Sequence, residues 1–220
     1  MAELVLYANP YEYGASGFYF RSAEEYEKAF DKHLPVEEYS LEFINGSSED
    51  VDLFKVLEVD ASNLEQFFKF SEDMDDSQKA ALYYMIAHRG KGPGETVDDL
   101  IEASEDVSVH PGDVGDWAES IIEGQGGVGE FPREFIEQHF DYAAYGKLIK
   151  EDMEEGDYRA DMSDEDAGYE FVDDVGIKNI PKADLEYHFD VDSWVTDLAA
   201  GGDVTAFEFG GARYATDYSG

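Results

Sequence analysis

Phe131-Pro-Arg-Glu-Phe-Ile136-Glu-Gln-His139-Phe140-Asp141-Tyr142-Ala-Ala-Tyr145 returns, 49 positions on, as Ile180-Pro-Lys-Ala-Asp-Leu185-Glu-Tyr-His188-Phe189-Asp190-Val191-Asp-Ser-Trp194. Pro132/Pro181, Glu137/Glu186, His139/His188, Phe140/Phe189 and Asp141/Asp190 are identical pairs. Proline suits a helix start because the N–H it lacks would have no partner there. An apolar residue four positions on, then a Phe-Asp junction before a second helix, is one supersecondary unit used twice. Trp117-Ala-Glu-Ser-Ile-Ile122 and Tyr169-Glu-Phe-Val172 read as the matching preceding helices. Tandem C-terminal modules are therefore expected at 113–160 and 163–220.

Upstream the pattern changes. Leu4-Val5-Leu6-Tyr7 and Phe18-Tyr19-Phe20 read as strands around a turn-rich stretch, and Tyr39-Ser-Leu41-Glu-Phe43 alternates as a third. Ser22-Ala-Glu-Glu25 is a capping box that opens a helix carrying Tyr26, Ala29 and Phe30, with Pro35 stopping it. Val51 to Val59 reads as a further strand. This predicts a small sheet with a helix on one face at 1–61. Helical spacing then dominates 62–112: Leu64, Phe67 and Phe68 follow a cap at Ser62 or Asn63, Ala80, Ala81 and Tyr84 follow Ser77, and Leu100 follows Thr96. The tail, with Phe207 and Phe209 before Gly210-Gly211, reads as a strand pair. The fold class expected is α+β, an elongated array of small α/β and helical modules.

Charge is the dominant compositional feature. Fifty-three Asp and Glu against fifteen Lys and Arg leave the 220-residue chain at a formal −38. Disorder does not follow, because 15% of residues are aromatic and only 6 are proline, ample material for a core. The absence of cysteine removes disulfides and thiolate sites and suits a reducing cytoplasm, and neither a signal peptide nor a membrane span is expected. An anionic surface is repelled by nucleic acid and by an anionic leaflet alike. Salt adaptation fits poorly with the retained lysines and bulky aromatics.

Catalytic signatures are missing: there is no P-loop, G-x-G-x-x-G, G-x-S-x-G or H-E-x-x-H, so no enzyme activity and no cofactor are expected. The five His are dispersed, and His139 and His188 share a repeat position, which favours packing over ligation. No EF-hand spacing occurs. What remains is acid. The clusters are Glu24, Glu25 and Glu27; Glu72, Asp73, Asp75 and Asp76; Asp98, Asp99 and Glu102; and the run Glu151, Asp152, Glu154, Glu155, Asp157, Asp161, Asp164, Glu165 and Asp166. Such a run also suits a solvated linker. Duplex DNA carries one charge per ~1.7 Å of axis, so this excess matches roughly 65 Å of duplex. A compact globule of this length has a radius of gyration of only about 17 Å. Small modules in series would lay the charge out, with carboxylates standing in for phosphates.

Several segments resemble the ArdA antirestriction family of phages and mobile elements. They are the opening strand with Tyr7, the acidic helix at Glu24-Glu25-Tyr26, and above all Ile136-Glu-Gln-His-Phe140-Asp141-Tyr142-Ala-Ala-Tyr145-Gly. The likeness runs loosely over 1–160. It implies an acidic DNA mimic in a bacterial host cytoplasm that occupies the DNA-binding groove of a Type I restriction–modification enzyme, as a homodimer through its C-terminal domain. The second copy departs from the family, with Val191 and Trp194 where the first has Tyr142 and Tyr145. That copy either supplies the partner surface within one chain or lengthens the mimic. Two other readings stand beside this one: an anti-CRISPR mimic blocking an effector's DNA channel, and an acidic structural or assembly protein.

Overall fold

A computed structural model describes residues 3–32, 38–92, 96–151, 153 and 158–218. The fold is α+β. Eleven α-helices and two three-stranded sheets occur among the described residues. The chain forms two compact units, Met1–Asp113 with Val204–Gly220, and Val114–Asp203.

The first unit opens with β1 (Val5–Pro10), β2 (Phe18–Phe20) and β3 (Tyr39–Asn45), an antiparallel sheet in the order β2-β1-β3. Leu6 and Ala8 alternate inward on β1 and are fully buried. Helix α1 (Ala23–Phe30) starts where the capping motif places it, with Ser22 Oγ accepting from Glu25 N. It lays Tyr26 against Phe18 and Phe20, ring centroids 5.8 and 5.1 Å away. Pro35, expected to stop this helix, lies outside the described residues.

The segment 51–59 is not a strand. Helix α2 (Ser48–Val56) occupies most of it, opened by a reciprocal capping box between Ser47 and Asp50. Leu53 is fully buried, Leu57 and Val59 are buried just beyond the helix, and Phe54 packs edge-on to Phe43 and Phe67. Helices α3 (Leu64–Asp73), α4 (Asp76–Tyr84) and α5 (Val97–Ser104) follow, with a π-helical turn at Met85–Arg89. The cap of α4 is Asp75 rather than Ser77, because Asp75 and Gln78 complete the reciprocal pair. One continuous core runs from Leu6 through Phe67 and Leu100 to Tyr214, so 1–61 and 62–112 share a single interior.

The strand pair at the C-terminus belongs to this first unit, not to the second repeat. Strands β5 (Thr205–Phe209) and β6 (Ala212–Thr216) turn through Gly210 and Gly211, both at positive φ, and β6 pairs with β4 (His110–Pro111). The reason is apolar burial: Phe207 and Phe209 lie 5.3 and 5.1 Å from Tyr84 and Tyr83 respectively.

The second unit is the repeat. Helix α6 (Val114–Gln125), a 3-10 turn (Val128–Glu130), α7 (Arg133–Gln138) and α8 (Tyr142–Glu151) form one series. After a further 3-10 turn (Tyr158–Asp161), α9 (Asp164–Val175), a 3-10 turn (Ile177–Asn179), α10 (Lys182–Tyr187) and α11 (Val191–Gly201) form the same series again. The copies interlock rather than follow one another. Phe140 and Phe189 form an antiparallel bridge in which Asp141 N donates to His188 O (2.8 Å) and Asp190 N to His139 O (2.7 Å). Each copy's first helix packs on the other's last. Trp117 of α6 meets Trp194 of α11 at 6.0 Å, and Tyr169 of α9 stacks on Tyr142 of α8 at 3.8 Å. That reciprocity, in which residue i meets j and j meets i, is the signature of a two-fold interface between identical subunits, here built inside one chain.

Candidate functional site

The acidic residues singled out from the sequence do not converge on one point. Those of the first unit lie on α1 (Glu24, Glu25, Glu27), across the α3–α4 junction (Glu72, Asp73, Asp75, Asp76) and on α5 (Asp98, Asp99, Glu102). Those of the second unit lie at the end of α8 (Glu151), in the following 3-10 turn (Asp161) and in the first turn of α9 (Asp164, Glu165, Asp166). Asp152, Glu154, Glu155 and Asp157 lie outside the described residues. All the described members are exposed.

They do not all serve the same end. Glu25 accepts from Arg21 N, Asp75 and Asp99 complete reciprocal caps, Asp166 accepts from Ser163 Oγ, and Asp164 pairs with Lys150 at 2.9 Å. These carboxylates hold helix starts together, where the backbone dipole favours a negative charge. Glu24 pairs with Lys28 one turn on, which holds its carboxyl below the usual range. Glu27, Glu72, Asp73, Asp76, Asp98, Glu102, Glu151, Asp161 and Glu165 are exposed and, among the described residues, neither cap a helix nor pair with a cation, so they are the members whose charge is most available to a partner.

Fifteen cations cannot neutralise fifty-three acids however they are paired. Some of them are also used internally. Lys79 reaches Asp50 Oδ1 at 2.9 Å inside the first unit, with Ser71 donating to the same oxygen. Burial pushes the Asp50 carboxyl up, and the hydrogen bonds from Ser71, Lys79 and Ser47 outweigh it and bring it below the usual carboxylate range. Lys178 and Lys182 donate to backbone carbonyls across the copy-on-copy junction, at Gly129 (2.7 Å) and Gly126 (2.9 Å). The surface is left strongly anionic.

Side chains i and i+4 on a helix, such as Asp98 and Glu102, are ~6 Å apart along the axis, whereas one DNA strand brings a phosphate every ~3.4 Å of axis. The carboxylates of one helix are therefore more widely spaced than the phosphates of one strand. The surface also carries aromatic side chains: Tyr11, Tyr13, Tyr19, Tyr158, Tyr169 and Tyr187 are all exposed, Tyr13 completely so (104%). Of the exposed tyrosines, Tyr11 also lines a cleft beside α1, together with Tyr26, Phe30 and Tyr39, residues that charge-run reasoning could not find.

His139 and His188 are buried at the repeat junction, as their shared position in the sequence suggests. Desolvation lowers the pKa of His139, with Asp197 and Asp190 opposing it. Among the described residues no group of three or more His, Asp or Glu is placed to hold a metal ion, and no helix is long and apolar enough to cross a membrane. No protein-family model, curated protein or solved structure matches the chain.

Proposed function

We propose that the chain is a DNA mimic that inhibits a DNA-handling defence enzyme by occupying its basic groove, with a Type I restriction–modification enzyme as first target. The observation that carries this is a net charge of −38 kept on a folded scaffold whose aromatic core has no need of it. Self-repulsion of such a surface destabilises the compact state, which argues for a use. A basic groove is the complement, and steering into it is fast and salt-sensitive. Exposed tyrosines supply the desolvated contacts that long-range charge cannot. The likeness to antirestriction proteins noted in the sequence points to the same class. The reciprocal junction between the two copies supplies within one chain what a dimer interface would supply between two, so the chain acts as a monomer.

The test is a displacement assay with a surface that keeps its caps. Glu27, Glu72, Asp73, Glu102 and Glu151 are changed together to Lys, leaving Asp75, Asp99 and Asp166 in place. The variant should fold, and its capacity to displace duplex from the enzyme should fall by at least 100-fold. A folded variant of undiminished potency would overturn the proposal. Potency against a guide-RNA effector, with none against the restriction enzyme, would move the target and keep the mimicry.

A further inference from the structure

In the first unit, α1, the start of β3 and the turn at 60–62 enclose a cleft of about 720 Å³, within the ~300–1,000 Å³ of small-ligand sites. Its walls are the rings of Tyr11, Tyr26, Phe30 and Tyr39, the last two edge-to-face at 5.8 Å. Its rim carries Glu27, Asp31, Glu38 and Asp60, with no Lys or Arg among the described lining residues. The backbone bond from Tyr11 N to Glu38 O (3.5 Å) draws the ends of β1 and β3 together at one side. Tyr39 is 8% exposed, and its hydroxyl has no hydrogen-bond partner among the described residues. A buried hydroxyl left unpaired is unfavourable and uncommon. Tyr39 is one of the residues that line the cleft.

Protonation states favour a cation. The Tyr26 hydroxyl is raised first by burial, then by Tyr39 and Asp60, so these three groups sense one another and the phenol stays neutral. Ser62 donates its hydroxyl and its N–H to Asp60 Oδ1, which lowers the Asp60 carboxyl and keeps it ionised. Aromatic faces with carboxylates around them suit a flat, weakly hydrated cation better than a compact ammonium.

We propose that this cleft receives a guanidinium group, that of an arginine on the protein target, with the rings as walls, the Tyr39 hydroxyl as acceptor and the rim carboxylates as counter-charge. This rests on the reading of a basic protein partner and gives that reading one specific anchoring point. A DNA-binding groove is rich in arginine, and a guanidinium drawn into an aromatic slot would orient an encounter that diffuse charge only accelerates.

The test uses free n-butylguanidinium, n-butylammonium and neutral n-butylurea at matched ionic strength, followed by NMR of the tyrosine and phenylalanine rings in the full chain. Saturable shifts confined to Tyr11, Tyr26, Tyr39 and Phe30, at least 5-fold tighter for guanidinium than for urea, are expected. Tyr39→Phe, which keeps the ring, and Glu27→Gln with Asp31→Asn should each weaken binding at least 3-fold, and Glu65→Gln on α3 should not. Equal weakening by Glu65→Gln, or shifts spread over all exposed tyrosines, would overturn the proposal by showing bulk attraction alone. The same variants in the displacement assay separate the two readings. Guanidinium binding without duplex displacement would keep the cleft and remove the DNA-mimic reading. Displacement unchanged in variants that no longer bind guanidinium would do the reverse for the target's arginine.

Discussion

At the scale of single residues, the structure separates acids that build from acids that face outward. Asp50 belongs to the first kind, joining the α2 cap to Lys79 and Ser71. Removing one partner of a buried pair typically costs ~3–5 kcal/mol because the other charge is stranded. Asp50→Ala should show a loss of that order in urea unfolding at pH 7. Its folded pKa is depressed, so the stability it contributes is present above the unfolded carboxylate value and fades as pH falls through the folded one. His139 has the opposite chemistry and the same direction. Burial keeps it neutral, the unfolded chain takes up the proton first below ~6.5, and stability falls as pH drops under that value. Urea midpoints at pH 7.5 and 5.5 should therefore converge in His139→Gln relative to the unaltered protein. Glycine gives a sharper case. A Cβ on Gly146 would sit 1.8 Å from Asp164 O, and one on Gly168 2.0 Å from Tyr142 O, so α8 and α9 touch backbone to backbone. Gly146→Ala should cost at least ~1–3 kcal/mol in thermal unfolding, while Gly124→Ala, with nothing within 4 Å, should be neutral or slightly stabilising. None of this close packing is visible in the sequence, where both glycines stand in ordinary helical text.

At the scale of elements, the repetition and the caps at Ser22 and Thr96 were legible, whereas the caps at Ser47 and Asp75 and the long-range pairing were not. The 49-residue offset holds for the 3-10 turns and the helices after them, because Pro, Phe and Asp mark each start and junction in both copies. The stretch 51–59 misleads because Val51, Phe54, Val56 and Val59 are β-branched or aromatic; the decisive signal is Ser47 with Asp50 three residues on. The C-terminal hairpin was readable as a hairpin, but nothing local says that β6 pairs with His110 and Pro111 far upstream. The apolar burial of Phe207, Phe209 and Tyr214 decides its place. Ending the chain at Asp203 should therefore speed hydrogen exchange at Ala80–Tyr84 of α4 and leave Phe140 and Phe189 protected. Unchanged exchange in α4 would show that the hairpin is a passive cover. The aromatic cleft was equally illegible, since its walls come from the turn after β1, from α1 and from β3.

For the whole molecule, the central quantity is the uncompensated charge. Screening lengths fall from ~30 Å at 0.01 M to ~10 Å at 0.1 M ionic strength, so added salt should raise the thermal midpoint by relieving self-repulsion, and sedimentation should show a monomer at every salt concentration. The overall acidity was legible at once. The division between capping and free acids was not, because it depends on which helix starts where. The most direct measurement titrates the protein into labelled duplex held by a Type I restriction–modification methyltransferase core, at 50 and 200 mM salt. Mimicry of the DNA backbone predicts displacement near one protein per site at the lower salt, weakening steeply at the higher. No displacement at either, with the enzyme still binding duplex, would contradict it.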